Sequence, residues 1–242
     1  MMMIKKISFI IFLTIASSYT YSQALWIFLL GDKVSTEKFQ MGTNISLAYT
    51  NLEGLQDADY RIDWAFGGFA EIKITDKWSF QPEMMIKGPA GAKNIYDYEL
   101  EGPLVDTLFS NRETHYRFTY FSLPLYMKFK TKYIGFGLGP QIALMYRAKS
   151  FFKGTSQNDF KYKIEKELIR NKDKINYLDV GITAMIEYYL FPRKKLMSMR
   201  IGLKYYYGFI SPLKNESNIN NSIFMLTWGI PIGDETKINN PE

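Results

Sequence analysis

The chain has 242 residues, a formal net charge of +6, one histidine and no cysteine. The lack of cysteine excludes a disulfide-stabilised fold. Because histidine and cysteine are the usual ligands of transition metals, their shortage argues against a transition-metal site. Aromatic residues make up 17% of the chain, and this composition favours β-strands.

The N-terminus predicts export. Lys5 and Lys6 precede an apolar run at 7–16, and small or polar residues follow at 20–22. This is the pattern of a cleaved signal peptide, which we assign to residues 1–22. The run is too short for a transmembrane helix, which needs about 20 apolar residues.

A short segment, residues 23–38, follows before the first strand. Its stretch 24–30 is strongly apolar. We expect this segment on the periplasmic side, where 24–30 either packs against the body of the protein or docks a partner.

From residue 39 onward, bulky apolar residues alternate with small or polar ones. The clearest case runs from Tyr133 to Arg147, where Ile134 and Phe136 share one face and glycines lie on the other. A period of two indicates a strand with two unlike faces. Eight segments have this pattern, and we predict strands at 39–49, 61–75, 77–90, 116–130, 133–147, 175–190, 196–209 and 221–232.

The connections between these segments alternate between long and short. An exported chain can cross a membrane with strands if they close into a ring, because closure satisfies every backbone group. We therefore predict an all-β fold, an eight-stranded antiparallel up-and-down transmembrane β-barrel over 39–232, located in the outer membrane. The long loops are expected outside the cell and the short turns in the periplasm. Residues 233–242 form a polar C-terminal tail.

The alternative is a soluble barrel with its apolar face inward. An eight-stranded interior is only just wide enough for side chains or one small ligand. The apolar face would place about forty mostly large residues in that space. The opposite face, rich in Gly, Ala, Ser and Thr, fits a narrow lumen better.

The small-residue face also carries charges of both signs. Buried charges need partners, so we predict that these residues pair inside the barrel. The predicted lumen network consists of Arg61, Asp63, Glu71, Lys73, Glu83, Lys87, Lys128, Arg147, Asp179, Glu187, Arg200 and Lys204.

The third long loop, 149–174, is rich in lysine. Within it, 160–171 predicts a short amphipathic helix. We expect its basic side chains to contact phosphates of lipopolysaccharide, or else to pair with the acidic second loop or stay hydrated. The candidate contacts are Lys161, Lys163, Lys166 and Arg170.

Catalytic and metal sites are poorly supported. His115 is the one candidate base, with Glu113 and either Ser110 or Ser122 as partners for lipid hydrolysis. The Gly-x-Ser-x-Gly pattern is missing, so we predict no enzymatic activity. The acidic run lacks the spacing of a calcium loop, and we predict neither a metal nor a cofactor. That run contains Asp97, Glu99, Glu101 and Asp106.

Three stretches resemble a known family. They are Phe39–Gly54, Tyr120–Tyr126 with its Leu-Pro-Leu core, and Gly135–Pro140. Together they resemble the PorT-like outer-membrane β-barrel family of Bacteroidota. The resemblance implies a small outer-membrane barrel and no particular chemistry.

Several functions fit this prediction. The first hypothesis is a non-enzymatic surface-binding or scaffold component of the cell envelope. The alternatives are an accessory role in a protein secretion machinery, small-solute transport, and a lipid-modifying enzyme. Transport is disfavoured because eight strands leave a filled interior. Expected partners are outer-membrane lipid and lipopolysaccharide, then a periplasmic or secretion-machinery protein, and no nucleic acid.

Overall fold

The computed structural model describes residues 38–55, 57–95, 109–156, 160–169, 173–190, 199–214 and 218–232. The predicted signal peptide, residues 23–37 and the tail 233–242 lie outside these ranges. So do Arg170 and the acidic residues Asp97, Glu99, Glu101 and Asp106.

The described ranges form nine strands. They are β1 (Phe39–Glu53), β2 (Arg61–Lys73), β3 (Trp78–Ala90), β4 (Phe109–Lys130), β5 (Ile134–Ser156), β6 (Lys161–Glu167), β7 (Leu178–Tyr189), β8 (Arg200–Gly208) and β9 (Asn220–Ile232). No helix in this part of the chain is long and apolar enough to cross a membrane.

Eight of these strands close into an antiparallel ring. Each strand pairs with the next through β5, then β5 pairs with β7, and β9 returns to β1. The predicted all-β antiparallel barrel is confirmed, and every predicted strand overlaps one strand of the ring. The connections after β2, β4 and β7 share one end, which we call the turn end, and the opposite end is the loop end.

The predicted helix at 160–171 is wrong. Residues Lys161–Glu167 instead form β6, which pairs with β5 from Lys149 to Thr155. The reason is that β5 continues beyond the ring and leaves a backbone edge without a partner, which a strand satisfies and a helix cannot. Tyr162 and Ile164 alternate with charged residues, which suits a half-exposed strand.

The barrel is polar inside and apolar outside. Leu138 and Leu203 are 57% and 59% exposed on the outer surface, while Asn44 and Gln81 are buried in the lumen. Aromatic pairs lie at the ends of the apolar band: Trp78 with Phe129 at the turn end, and Tyr207 with Phe209 at the loop end. This arrangement is typical of a barrel whose wall faces lipid, and it excludes the soluble alternative.

An irregularity in β5 changes the direction in which the side chains beyond it point. Thr119 pairs with Arg147, whereas the next residue, Tyr120, pairs with Met145, so Tyr146 is an extra residue in β5. Such a β-bulge shifts the alternation by one position. Met145 is buried in the lumen, but Arg147, two residues later, is exposed.

Candidate functional site

Paired charges cross the lumen near the turn end. Nη1 of Arg200 on β8 lies 2.7 Å from Oε2 of Glu71 on β2 and 3.8 Å from Oε2 of Glu187 on β7. Nζ of Lys128 on β4 contacts the same two carboxylates, at 3.3 Å from Glu71 and closer still to Glu187. All four side chains are at least 96% buried. Strands from different sides of the ring are therefore joined across the interior.

Gln81 connects this layer to a second ion pair. Its Oε1 accepts hydrogen bonds from Lys128 at 2.8 Å and Arg200 at 3.0 Å. Its amide nitrogen donates to Glu83 Oε1 at 2.8 Å, and Lys204 Nζ lies 2.6 Å from Glu83 Oε2. The result is one continuous network of three buried carboxylates and three buried cations, which we call the lumen plug: Glu71, Gln81, Glu83, Lys128, Glu187, Arg200 and Lys204. Balanced pairing with further hydrogen bonds is what makes buried charges tolerable.

A separate cluster lies toward the loop end. Arg61 donates to Asp63 at 2.7 Å and to the carbonyl of Ala90 at 2.9 Å. Lys87 donates to the other oxygen of Asp63 at 3.1 Å. Asp63 and Lys87 are partly exposed, so this cluster lies at the loop-end rim of the barrel rather than at its centre.

Asp179 is bound differently from the other lumen carboxylates. It accepts a hydrogen bond from Asn221 at 2.8 Å, and Asn221 also donates to the hydroxyl of Tyr120 at 3.2 Å. These residues line a cavity of about 20 Å³, together with Met85 and other lumen residues. A cavity of that size accommodates about one water molecule.

Three of the twelve residues predicted for the lumen are not there. Lys73 is the last residue of β2, so its side chain extends beyond the turn end of the barrel. It is 49% exposed, and its Nζ lies 2.6 Å from Oδ1 of Asp76. Arg147 points outward because the bulge at Tyr146 reverses the alternation. Lys87 also lies on the outer surface, because a bulge in β3 pairs it with the outward-facing Phe66, and its Nζ lies 3.5 Å from the centre of the exposed Trp64 ring. The other nine line the lumen or its rim.

The network also contains neutral residues that the charge pattern of the sequence does not predict. Gln81 and Asn221 bridge charged groups, and Tyr126 lies under Lys204 with its hydroxyl 2.9 Å from that of Thr183. All of these face inward by the same period-two rule that identified the charges. A count of every polar residue on that face would have found them.

Beyond the ring, the continuations of β4 and β5 form a three-stranded sheet with β6. We call this sheet the outer wall; it contains residues 109–117, 147–156 and 161–167. Ion pairs connect its strands: Lys153 to Glu113 at 3.1 Å, and Lys149 to Glu165. Every residue of β6 is exposed.

The four residues predicted for phosphate contacts are not all together. Lys161 and Lys163 lie opposite Thr155 and Lys153, on the outward face of the wall. Lys166 lies opposite the buried Ser150 and therefore belongs to the other face.

His115 lies at the centre of the outward face. Its ring stacks on Phe151, with centroids 4.8 Å apart, and Nδ1 is 3.9 Å from Glu113 Oε1. Burial lowers the pKa of His115 to about 4, and the nearby Arg117 adds to this effect against the opposing charge of Glu113. A hydrogen bond from Lys153 holds the pKa of Glu113 below its usual value.

The geometry does not assemble a catalytic triad around His115. Ser122 is seven positions along β4, about 23 Å at 3.3 Å per residue, and it faces the lumen. Ser110 is five positions away in the other direction, about 16 Å. Across the described ranges, no group of three His, Asp or Glu residues is placed to hold a metal ion.

Solved structures of small bacterial barrels are similar to this chain. Ail, the attachment invasion locus protein of Yersinia pestis, in complex with the heparin analogue sucrose octasulfate, is 12% identical with a TM-score of 0.40, covering 81% of this chain and 99% of Ail. Neisserial surface protein A is 10% identical with a TM-score of 0.38, covering 79% and 96%. OprG from Pseudomonas aeruginosa is 10% identical with a TM-score of 0.32, covering 83% and 100%.

Sequence comparison gives the family. No curated protein matches the sequence significantly. The model of the outer membrane protein beta-barrel domain matches residues 26–213, which is most of the chain. This match agrees with the closed ring and its apolar outer surface. The protein belongs to the outer membrane beta-barrel domain family and is located in the outer membrane.

Proposed function

We propose that this protein is a non-enzymatic, non-conducting barrel that serves as a surface-binding component of the envelope. The observation that carries the proposal is the lumen plug, which joins β2, β3, β4, β7 and β8 across the interior. A barrel with this plug acts as a rigid membrane anchor. Its binding function then belongs to the parts that project from the loop end.

Strand number and packing support a closed lumen. Eight strands leave an interior that side chains can fill. Tyr126, Tyr206 and Phe118 are almost fully buried, in addition to the plug. Passage of a hydrated ion would require breaking several buried ion pairs at once, and each broken pair leaves an uncompensated charge.

The outer wall supports a binding role. It extends the barrel on one side, and its strand β6 is exposed along its whole length. Loops and extensions held by a rigid scaffold are the usual location of binding sites. The separation of His115 from both serines disfavours the lipid-enzyme alternative. The PorT-like assignment and a role in secretion depend on sequence motifs alone and stay predictions.

Conductance measurements test the closed lumen. The folded wild-type protein, inserted in planar bilayers, should give no discrete single-channel steps. Folding before insertion is checked by the mobility shift of unheated against heated samples on gels. Reproducible steps from the wild-type barrel would contradict the proposal.

A matched variant shows whether the plug is the barrier. In a fourfold variant, Glu71, Lys128, Glu187 and Arg200 all become serine, so that no buried charge loses its partner alone. We expect discrete steps from this variant. Its control carries Lys77→Ser and Lys132→Ser, two exposed residues in the turns, and should stay silent like the wild type.

A further inference from the structure

The bulge at Tyr146 gives the outer wall a cationic outward face. Beyond the bulge, odd-numbered residues of β5 point outward and meet odd-numbered residues of β4 and β6. Lys93 joins the same face by pairing with His115. The cations of this face are Lys93, Arg117, Arg147, Lys149, Lys153, Lys161 and Lys163, and its carboxylates are Asp59, Glu113, Glu165 and Glu167.

Like charges lie directly opposite each other in this sheet. Arg117 is paired with Lys149 across β4 and β5, and Lys153 is paired with Lys163 across β5 and β6. Directly opposed like charges destabilise a sheet. Glu165 and Glu113 compensate Lys149 and Lys153. Arg117 instead lies with its guanidinium 5.0 Å from the centre of the Phe151 ring, which leaves the positive charge at the base of the wall in excess.

The base of the wall lies next to the lipid-facing surface. Leu144 and Tyr146 are each 53% exposed and end the apolar face of β5. Arg147 is three positions beyond Leu144, about 10 Å along the strand. Arg117 is diagonal to Arg147, and side chains so placed are about 7–8 Å apart at their bases. Two arginines thus lie on neighbouring strands where the apolar band ends, which is the level expected for lipid headgroups.

We propose that Arg117 and Arg147 bind the phosphates of lipid A, the phosphorylated glycolipid of the outer leaflet. Guanidinium groups bind phosphate oxygens through paired, charge-assisted hydrogen bonds. A phosphate between Arg117 and Arg147 would offset the like-charge repulsion across β4 and β5. This inference rests on the proposed surface-binding function and names its ligand.

Continuity with the apolar band identifies the ligand as a lipid. Strands β4 and β5 run from the apolar band into the outer wall, so one molecule can place its acyl chains against Leu144 and its phosphate against Arg147. A soluble polyanion would use only the charged part. The two sources can therefore be separated by removing either the phosphates or the acyl chains from the probe.

Native mass spectrometry of the folded, full mature chain in maltoside micelles tests the proposal, with lipid A as the probe. Replacing both arginines, Arg117→Gln with Arg147→Gln, should weaken binding about tenfold, because two charge-assisted contacts are lost. The single variant Arg147→Gln should lie between this variant and the wild type. The control Lys77→Gln with Lys132→Gln removes the same charge at the turn end and should bind lipid A like the wild type.

The probes then separate the possible ligands. Dephosphorylated lipid A should bind the wild type as weakly as lipid A binds the double arginine variant, and sucrose octasulfate should not displace lipid A. Equal binding of lipid A by wild type and double variant overturns the proposal, as does an equal loss in the control. Binding of sucrose octasulfate in preference to lipid A also overturns it. Each of these results is independent of conductance, which tests the closed lumen.

Discussion

At the level of single residues, His115 is distinctive because it is the only histidine and is largely buried in an exposed part of the protein. Phe151 covers one face of its ring, and Arg117 lies over the same phenyl group. The protonated imidazole would be poorly hydrated and would be repelled by the nearby guanidinium of Arg117. The neutral form is therefore the stable one.

We expect His115 to titrate with a pKa of about 4, below its ordinary value of 6.5. Since it is the only histidine, nuclear magnetic resonance of histidine-labelled protein purified without a histidine tag should give one imidazole signal. That signal should stay in its neutral position as the pH falls from 6.5 toward 4. A midpoint near 6.5 would contradict the burial of the ring against Phe151.

The same shift makes stability depend on pH. Between pH 4 and 6.5 the unfolded chain binds a proton at His115 and the folded protein does not. The free energy of unfolding therefore rises with pH across this window. The contribution of His115 to stability is lost as the pH falls from 6.5 toward 4. In urea unfolding, His115→Gln should remove this part of the pH dependence while leaving the rest.

The lumen shows how far single residues can be predicted from the sequence. Period-two alternation placed Glu71, Glu83 and Lys128 on the inner face, because a strand has only two faces. The rule does not say where a strand ends. It therefore predicts Lys73 in the lumen, although this residue lies outside it at the end of β2. Distances across the ring depend on which strands face each other, and alternation alone says nothing about them.

At the level of strands, bulges and extensions were the features that sequence could not supply. The bulge at Tyr146 inserts one residue without interrupting the aromatic and apolar pattern around it, so Arg147 kept the wrong predicted face. The strand β6 was predicted as a helix because its apolar residues also fit a helical period. The deciding factor was the unpaired edge of β5, which is a property of the assembled sheet.

Close packing between β4 and β5 gives a prediction at this scale. A Cβ atom on Gly139 would lie 1.8 Å from the carbonyl oxygen of Leu125, which is backbone and cannot rotate away. We expect Gly139→Ala to reduce stability by about 1–3 kcal/mol, measured from unfolding in urea. Gly229→Ala is the matched control, because its nearest neighbour would be a side-chain oxygen of Asn44 at 3.2 Å. Equal stability of the two variants would mean that β4 and β5 are not in such close contact at Gly139.

At the level of the whole molecule, the closed ring relates each connection to one side of the membrane. Antiparallel strands place the connections after β2, β4 and β7 at one end, together with Lys132. The outer wall and Lys163 lie at the opposite end. Short turns in the periplasm and long loops outside are the usual orientation of outer-membrane barrels. The same orientation is required if Arg117 and Arg147 are to meet lipid A, which is confined to the outer leaflet.

Labelling of single thiols in intact cells tests this orientation directly, because the chain has no cysteine of its own. Lys163→Cys places the thiol on the exposed strand β6, and Lys132→Cys places it in the exposed turn between β4 and β5. A bulky maleimide that does not cross the outer membrane should label the first variant in intact cells. It should label the second only after permeabilisation. Labelling of both variants after permeabilisation shows that each thiol is reachable, so the comparison in intact cells depends only on the side of the membrane. The reverse pattern would invert the barrel and remove the outer wall from the leaflet that contains lipid A.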